Sequence, residues 1–159
     1  MKLAVHPRLR AAAARAPLLL PPLLLLLAAA LPAPAQQSAA GLWETIGDDD
    51  GKPKAHVRIV ETDGELRGTV EKILEPDKRD AVCDKCTDER RGRPVLGLTI
   101  VSGMRRDGEY YRGGRILDPD NGKVYSCRMR VAEDGRHLEV RGFLGFSLLG
   151  RTQTWNRLE

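Results

Sequence analysis

Residues 110–131 read YYRGGRILDPDNGKVYSCRMRV. Two runs of β-like character flank Asp118-Pro119-Asp120-Asn121-Gly122, a segment built from turn formers. Proline presets a turn angle there, and Asn-Gly accepts the positive φ that a tight hairpin needs. In the second run Tyr125, Cys127, Met129 and Val131 fall on one side, while Arg128 and Arg130 fall on the other. That two-residue period belongs to a strand with one buried face. The segment is therefore expected to be a β-hairpin, and the chain on either side repeats its texture.

Toward the N-terminus, Leu42–Ile46 ends at Asp48-Asp49-Asp50-Gly51, and Ala55–Thr62 alternates until Asp63-Gly64. Glu65–Leu74 then places Leu66, Gly68 and Val70 on one face. Residues 75–93 break the rhythm: they are charged, contain Pro76 and hold Cys83-Asp84-Lys85-Cys86, and so predict a long loop. Val95–Val101 is apolar on both faces, which suits a doubly covered strand or a short buried helix. Arg106-Asp107-Gly108 and Glu133-Asp134-Gly135 mark further turns. Arg136–Leu144 and Arg151–Arg157 complete about eight strands with no long amphipathic helix. A meander of that kind removes its exposed edges by closing on itself. The expected fold is all-β, an antiparallel up-and-down barrel of about eight strands.

Ahead of this domain lies a different kind of sequence. Met1–Pro17 carries Lys2, Arg8, Arg10 and Arg15 and no acid; a leucine- and alanine-rich run follows over 18–31, then Ala33-Pro34-Ala35. A basic start, an apolar stretch and an A-x-A site in that order read as a cleavable signal peptide. Cleavage is expected between Ala35 and Gln36, which leaves a loose tail at 36–40 and one domain at 41–159. The formal charge of +4 belongs to the leader, because its four cations leave 22 basic and 22 acidic residues behind. A neutral chain lacks the electrostatic footprint of a nucleic-acid binder. No second apolar run reaches the roughly 18 residues that span a bilayer. The mature chain is therefore expected outside the cytoplasm.

The cysteines are read in that oxidising setting. Cys83 and Cys86 are the candidate disulfide, a clip on the loop; a redox pair opening a helix lacks its βαβ context here. Cys127 points inward by alternation and is expected as a buried thiol, with a bridge to Cys83 or Cys86 as the alternative. Only His56 and His137 remain in the mature chain as imidazole ligands, and neither has finger-type spacing to the cysteines, so no metal site is expected. Gly145-Phe146-Ser147-Leu148-Leu149-Gly150 has one residue too many for a nucleophile elbow. Asp118, Asp120 and Gly122 suggest a calcium loop, but its twelfth position is Met129 rather than glutamate. No base, nucleophile and orienting group assemble, so neither an enzyme nor a cofactor is expected.

Barrel closure makes the first and last strands neighbours. Gly41-x-Trp43 opens one, and Gly150-Arg151-Thr152-Gln153-Thr154-Trp155 opens the other. Trp43 is expected to plug one end, with Arg151 or Arg157 across its ring as a cation–π lid. Gly41, Trp43, Arg151, Trp155 and Arg157 are the closure set. An eight-stranded barrel is just wide enough for a packed core or one small ligand. Tyr111, Tyr125 and Met129 are the inward candidates for a ligand, and Arg141 or Arg151 the candidates for an anionic head.

Taken together, Gly41-x-Trp43, Cys83-x-x-Cys86, Pro94-x-x-Gly97-Leu98, Gly113-Gly114-x-Ile116-x-x-Pro119-x-x-Gly122-x-x-Tyr125-x-Cys127, Leu138-x-Val140-Arg141-Gly142-Phe143 and Gly150-Arg151-Thr152-Gln153-x-Trp155 resemble domain-of-unknown-function family 2147 (DUF2147). The resemblance covers about residues 41–157. It implies a small bacterial β-barrel of lipocalin-like shape, exported to the periplasm or secreted beyond it, and no activity. Tyr111 departs from it, standing where that family often carries tryptophan.

Two functional expectations follow. The first is a non-catalytic binding module for a small apolar or amphipathic ligand. The second is a solid-core envelope protein that meets an anionic membrane surface or a partner protein through Arg105, Arg106, Arg112, Arg115, Arg128 and Arg130. A thiol-redox protein ranks behind both.

Overall fold

The computed structural model describes residues 37–159. The expected leader, with its cleavage site at Ala35 and Gln36, lies outside them. Nine strands follow in order: β1 (Gly41–Ile46), β2 (Pro53–Thr62), β3 (Glu65–Ile73), β4 (Thr99–Asp107), β5 (Tyr110–Arg112), β6 (Arg115–Asp118), β7 (Lys123–Val131), β8 (His137–Phe143) and β9 (Gly150–Arg157). Every pairing is antiparallel, and the short strands β5 and β6 share one position between β4 and β7. The wall is therefore eight strands round. It closes where β1 meets β9, with Trp43 opposite Arg157 and Glu44 opposite Asn156. No helix among the described residues is long and apolar enough to cross a membrane.

The alternation seen in the sequence sets which side chains face inward. Val57 and Ile59 of β2, Leu66 and Val70 of β3, Cys127 and Met129 of β7, and Leu138 and Val140 of β8 are all buried. Their outward neighbours form the solvated wall, where Arg130 and Glu139 face each other across β7 and β8. Asp63-Gly64 makes the tight turn expected of it, with both φ angles positive (53° and 73°).

Two segments differ from the sequence reading. The strand expected at 95–101 begins at Thr99 and runs on to Asp107. Val95 instead closes the preceding loop through its amide and the Ala81 carbonyl (2.9 Å), and Gly97 turns the chain at φ +81°. The run expected over 110–117 is broken between β5 and β6. A Cβ on Gly114 would stand 2.3 Å from both Met104 Sδ and the Ser102 carbonyl, so the backbone crosses β4 where no side chain fits.

The long loop at 75–93 is ordered into a strap. Cys83 and Cys86 are disulfide-bonded, and Cys127 is a free buried cysteine, so no bridge to Cys127 forms. The Cys83 amide donates to Arg93 O and the Gly92 amide to Cys83 O, both at 2.9 Å. The strap leans on the turn between β6 and β7: Lys78 pairs with Asp120 at 3.0 Å, and Lys85 Nζ donates to the Asp120 carbonyl at 2.8 Å.

Candidate functional site: a cup open at one end

A meander sends alternate turns to opposite ends of its barrel. The β2–β3, β4–β5 and β7–β8 turns gather at one end. The β1–β2, β3–β4, β6–β7 and β8–β9 connections gather at the other. The two ends are built differently.

The first end is sealed. Trp43, Leu66, Met104, Tyr111, Met129 and Leu138 fill it and are buried. Residues 37–40, expected as a loose tail, dock across it: the Trp43 indole donates to Ala39 O (2.9 Å), and the Ala39 amide donates to the Tyr111 hydroxyl (3.2 Å). Arg157 locks the arrangement. Its guanidinium lies 4.1 Å from the Trp43 ring centre and donates to Gly135 O (2.7 Å), Ala40 O (3.1 Å) and Ser38 O (2.7 Å). Removal from water lowers its pKa from the usual arginine value. Gly41 permits this closure, because at φ +138° a Cβ would stand 2.5 Å from Glu159 O.

The opposite half of the barrel is hollow. A cavity of about 820 Å³ opens to solvent there, within the range of roughly 300–1,000 Å³ typical of small-molecule sites. Val57, Val70, Ile100, Ile116, Val140 and Trp155 contribute to its apolar wall. Its rim is polar. Lys54 bridges Asp50 (2.8 Å) and Glu75 (2.9 Å), and Arg151 pairs with Asp48 at 2.7 Å. The Lys54 pKa is raised by its hydrogen bonds to Asp50 and then Glu75, and that of Asp50 is lowered chiefly by the same lysine. Six carboxylates (Asp48, Asp49, Asp50, Glu75, Asp118, Asp120) and three cations (Lys54, Lys78, Arg151) line the mouth, an acidic excess. Gln153 reaches up from the wall to Asp48 (3.2 Å) and accepts from the Trp155 indole (3.2 Å).

The residues singled out from sequence divide between these regions. Tyr125 lines the cup, and its hydroxyl accepts from Asn121 Nδ2 at 3.0 Å. Tyr111 and Met129 face inward but belong to the sealed end and do not line the cup. Arg141 stands on the outer wall, opposite Arg128 in register, and donates to Thr152 Oγ1 at 2.8 Å. Of the two arginines considered for the Trp43 lid, Arg157 takes the place, whereas Arg151 is at the opposite end. Trp155 serves the cup as well as the closing strand.

The expected arginine cluster is gathered in part, around Tyr110, and is partly engaged by neighbouring groups. Arg105 pairs with Glu65 and Arg112 with Asp107, while Arg106 lies against the Tyr111 ring at 5.3 Å. Arg112, Arg128 and Arg130 surround the Tyr110 ring at 4.7, 4.8 and 5.6 Å. Among the described residues, no group of three or more His, Cys, Asp or Glu side chains converges to hold a metal.

Sequence reasoning missed the rim, because Asp48, Lys54, Glu75 and Lys78 sit in or beside connections without periodicity. Topology offered the missing signal, since alternate connections of a meander share an end.

Residues 41–157 match the family described as "Uncharacterized protein conserved in bacteria (DUF2147)". No curated protein matches the chain. Among solved structures, the chain is similar to a protein from Helicobacter pylori described as "Protein HP1028 from the human pathogen Helicobacter pylori belongs to the lipocalin family". The two are 21% identical, with a TM-score of 0.67 over 77% of this chain and 84% of that one. The likeness is one of fold.

Proposed function

We propose that this chain, which belongs to the DUF2147 family, is an exported, non-catalytic binding module that holds a small amphipathic ligand in its cup. The observation that carries this reading is the contrast between the two ends: one sealed by Trp43 and Arg157, the other an apolar cavity of about 820 Å³ under a polar rim. An apolar tail desolvated against Val57, Val70, Ile100 and Val140 supplies the driving force, in proportion to the area it buries. The rim meets the polar end. Arg141 faces outward and Arg151 is neutralised by Asp48, so the acidic excess favours a neutral or cationic head over the anionic one expected from sequence.

The Cys83–Cys86 disulfide is buried at both sulfurs, which argues against exchange with an external thiol. Export rests on the leader sequence alone, and a bacterial periplasm is the compartment proposed.

Native mass spectrometry of protein isolated from its own cells tests this reading. Added mass that is released on denaturation is the expected result. A bare polypeptide, together with no uptake of a single-chain amphiphile such as lauric acid or a lauryl amine, would remove the binding function.

A further inference from the structure

The connection between β8 and β9 does not fit a soluble rim. Residues 142–150 read GFLGFSLLG, nine positions without a charge. Leu144 is 56% exposed, Phe146 81%, Leu148 88% and Leu149 80%. Four large apolar side chains in one short loop make a contiguous exposed patch, which marks an interaction site. Three further observations identify what it meets.

The patch is continuous with the cup, because Phe143, Leu144 and Leu149 also line the cavity. Its charges stand only at its two ends, Arg141 before it and Arg151 after it. An apolar tip bracketed by guanidiniums has the depth profile of a bilayer interface, with hydrocarbon at the tip and phosphates at the shoulders. Arg141 also holds the loop in shape, donating from Nη2 to the Leu148 carbonyl at 3.4 Å.

We propose that residues 144–149 form a membrane-docking lip that inserts into a phospholipid bilayer and brings the mouth of the cup against it. The occupant is the lipid surface itself. Insertion is driven by apolar burial, so zwitterionic phospholipid suffices and salt has little effect. Passage of an acyl chain from the bilayer into the cup deepens the binding function proposed above and rests on it; docking does not.

The test uses a Phe146→Trp variant of the protein as its cells accumulate it. Native Trp43 and Trp155 are buried but Trp155 lines the cup, so the unsubstituted protein is measured alongside and the difference between the two reports the loop. With phosphatidylcholine vesicles its emission should shift to the blue and be quenched by acyl-brominated lipid, equally at low and high salt. Adding Leu148→Asp and then Leu149→Asp should reduce partitioning by about tenfold or more at each step. Arg128→Gln, on the outer wall, should leave it unchanged.

No shift with vesicles overturns the proposal. Binding that needs anionic lipid and vanishes with salt assigns the membrane contact to the arginine face and overturns it. A blue shift on concentrating the protein without vesicles means that a second copy covers the loop, and overturns it too. Failure of the cup to hold any ligand leaves the vesicle result standing, so the two readings fail separately.

Discussion

Replacing Arg157 by alanine tests how the sealed end is held. The side chain contributes a desolvated cation–π contact at 4.1 Å and four hydrogen bonds from a charged donor, at 2.7, 3.1, 3.3 and 2.7 Å. The ring contact is worth about 1–2 kcal/mol in that setting. Bonds from charged donors contribute about 1.5–3 kcal/mol each when buried, and these are discounted because the side chain reaches solvent at its edge. A loss of about 4 kcal/mol follows, a large share of the roughly 5–15 kcal/mol that stabilises a typical domain. For a domain of this size it lowers Tm by about 15 °C. Arg157→Lys keeps a charge over the ring but not the fork that reaches four carbonyls, and should lose about half as much. Urea unfolding followed by tryptophan emission measures both. The cup is at the far end, so ligand affinity measured below the melting range should not change. A loss under about 1 kcal/mol for the alanine variant, or a lysine variant equal to it, would refute the lock.

Three further outcomes are expected. Gly122 sits at φ +71°, and a Cβ there would lie 2.0 Å from Lys85 O; Gly122→Ala should cost about 3 kcal/mol and raise hydrogen exchange across residues 83–93, whereas unchanged exchange contradicts the docked strap. Burial pushes the Cys127 thiol up to about 12, from 9.0 for an unperturbed cysteine. The unfolded chain therefore releases this proton near pH 9 while the folded chain retains it. Stability is complete below pH 9 and falls by about 1.4 kcal/mol per unit as pH rises toward 12. Cys127→Ala should lack that slope in denaturant titrations at pH 8–11, and parallel curves would contradict it. Val140→Trp fills the cup: it should cost less than about 1.5 kcal/mol because empty space receives the indole, while amphiphile affinity falls at least tenfold or so. A cost above about 3 kcal/mol would show that the wall is already packed.

Much of the fold was legible because its elements carry local signals. β7 and β8 alternate cleanly, and Asp63-Gly64 and Asn121-Gly122 demand the turns they form. The start of β4 was not legible, because Val95 and Leu98 are apolar for the sake of the strap and resemble strand residues in a one-dimensional pattern. The break at Gly113-Gly114 depends on the approach of β4, a tertiary fact that no local window contains. At the site, alternation identified Tyr111, Tyr125 and Met129 as inward. It could not say which end of the barrel each occupies, because depth along the axis depends on the register between strands. Arg141 was misplaced for the opposite reason: its parity with Val140 already put it on the outer wall. The exposed apolar lip went unread because the strand expected over Arg136–Leu144 takes in its first residue and 145–150 carries no periodicity of its own.

The hollow half of the barrel is tested most directly by titrating isotope-labelled protein with a single-chain amphiphile and following its methyl resonances. Val57, Val70, Ile100, Ile116 and Val140 should shift in a saturable manner, while Leu66, Met104 and Met129 at the sealed end stay still. Silent methyls in the first group, or shifts confined to the sealed end or the outer wall, would contradict a cup that binds.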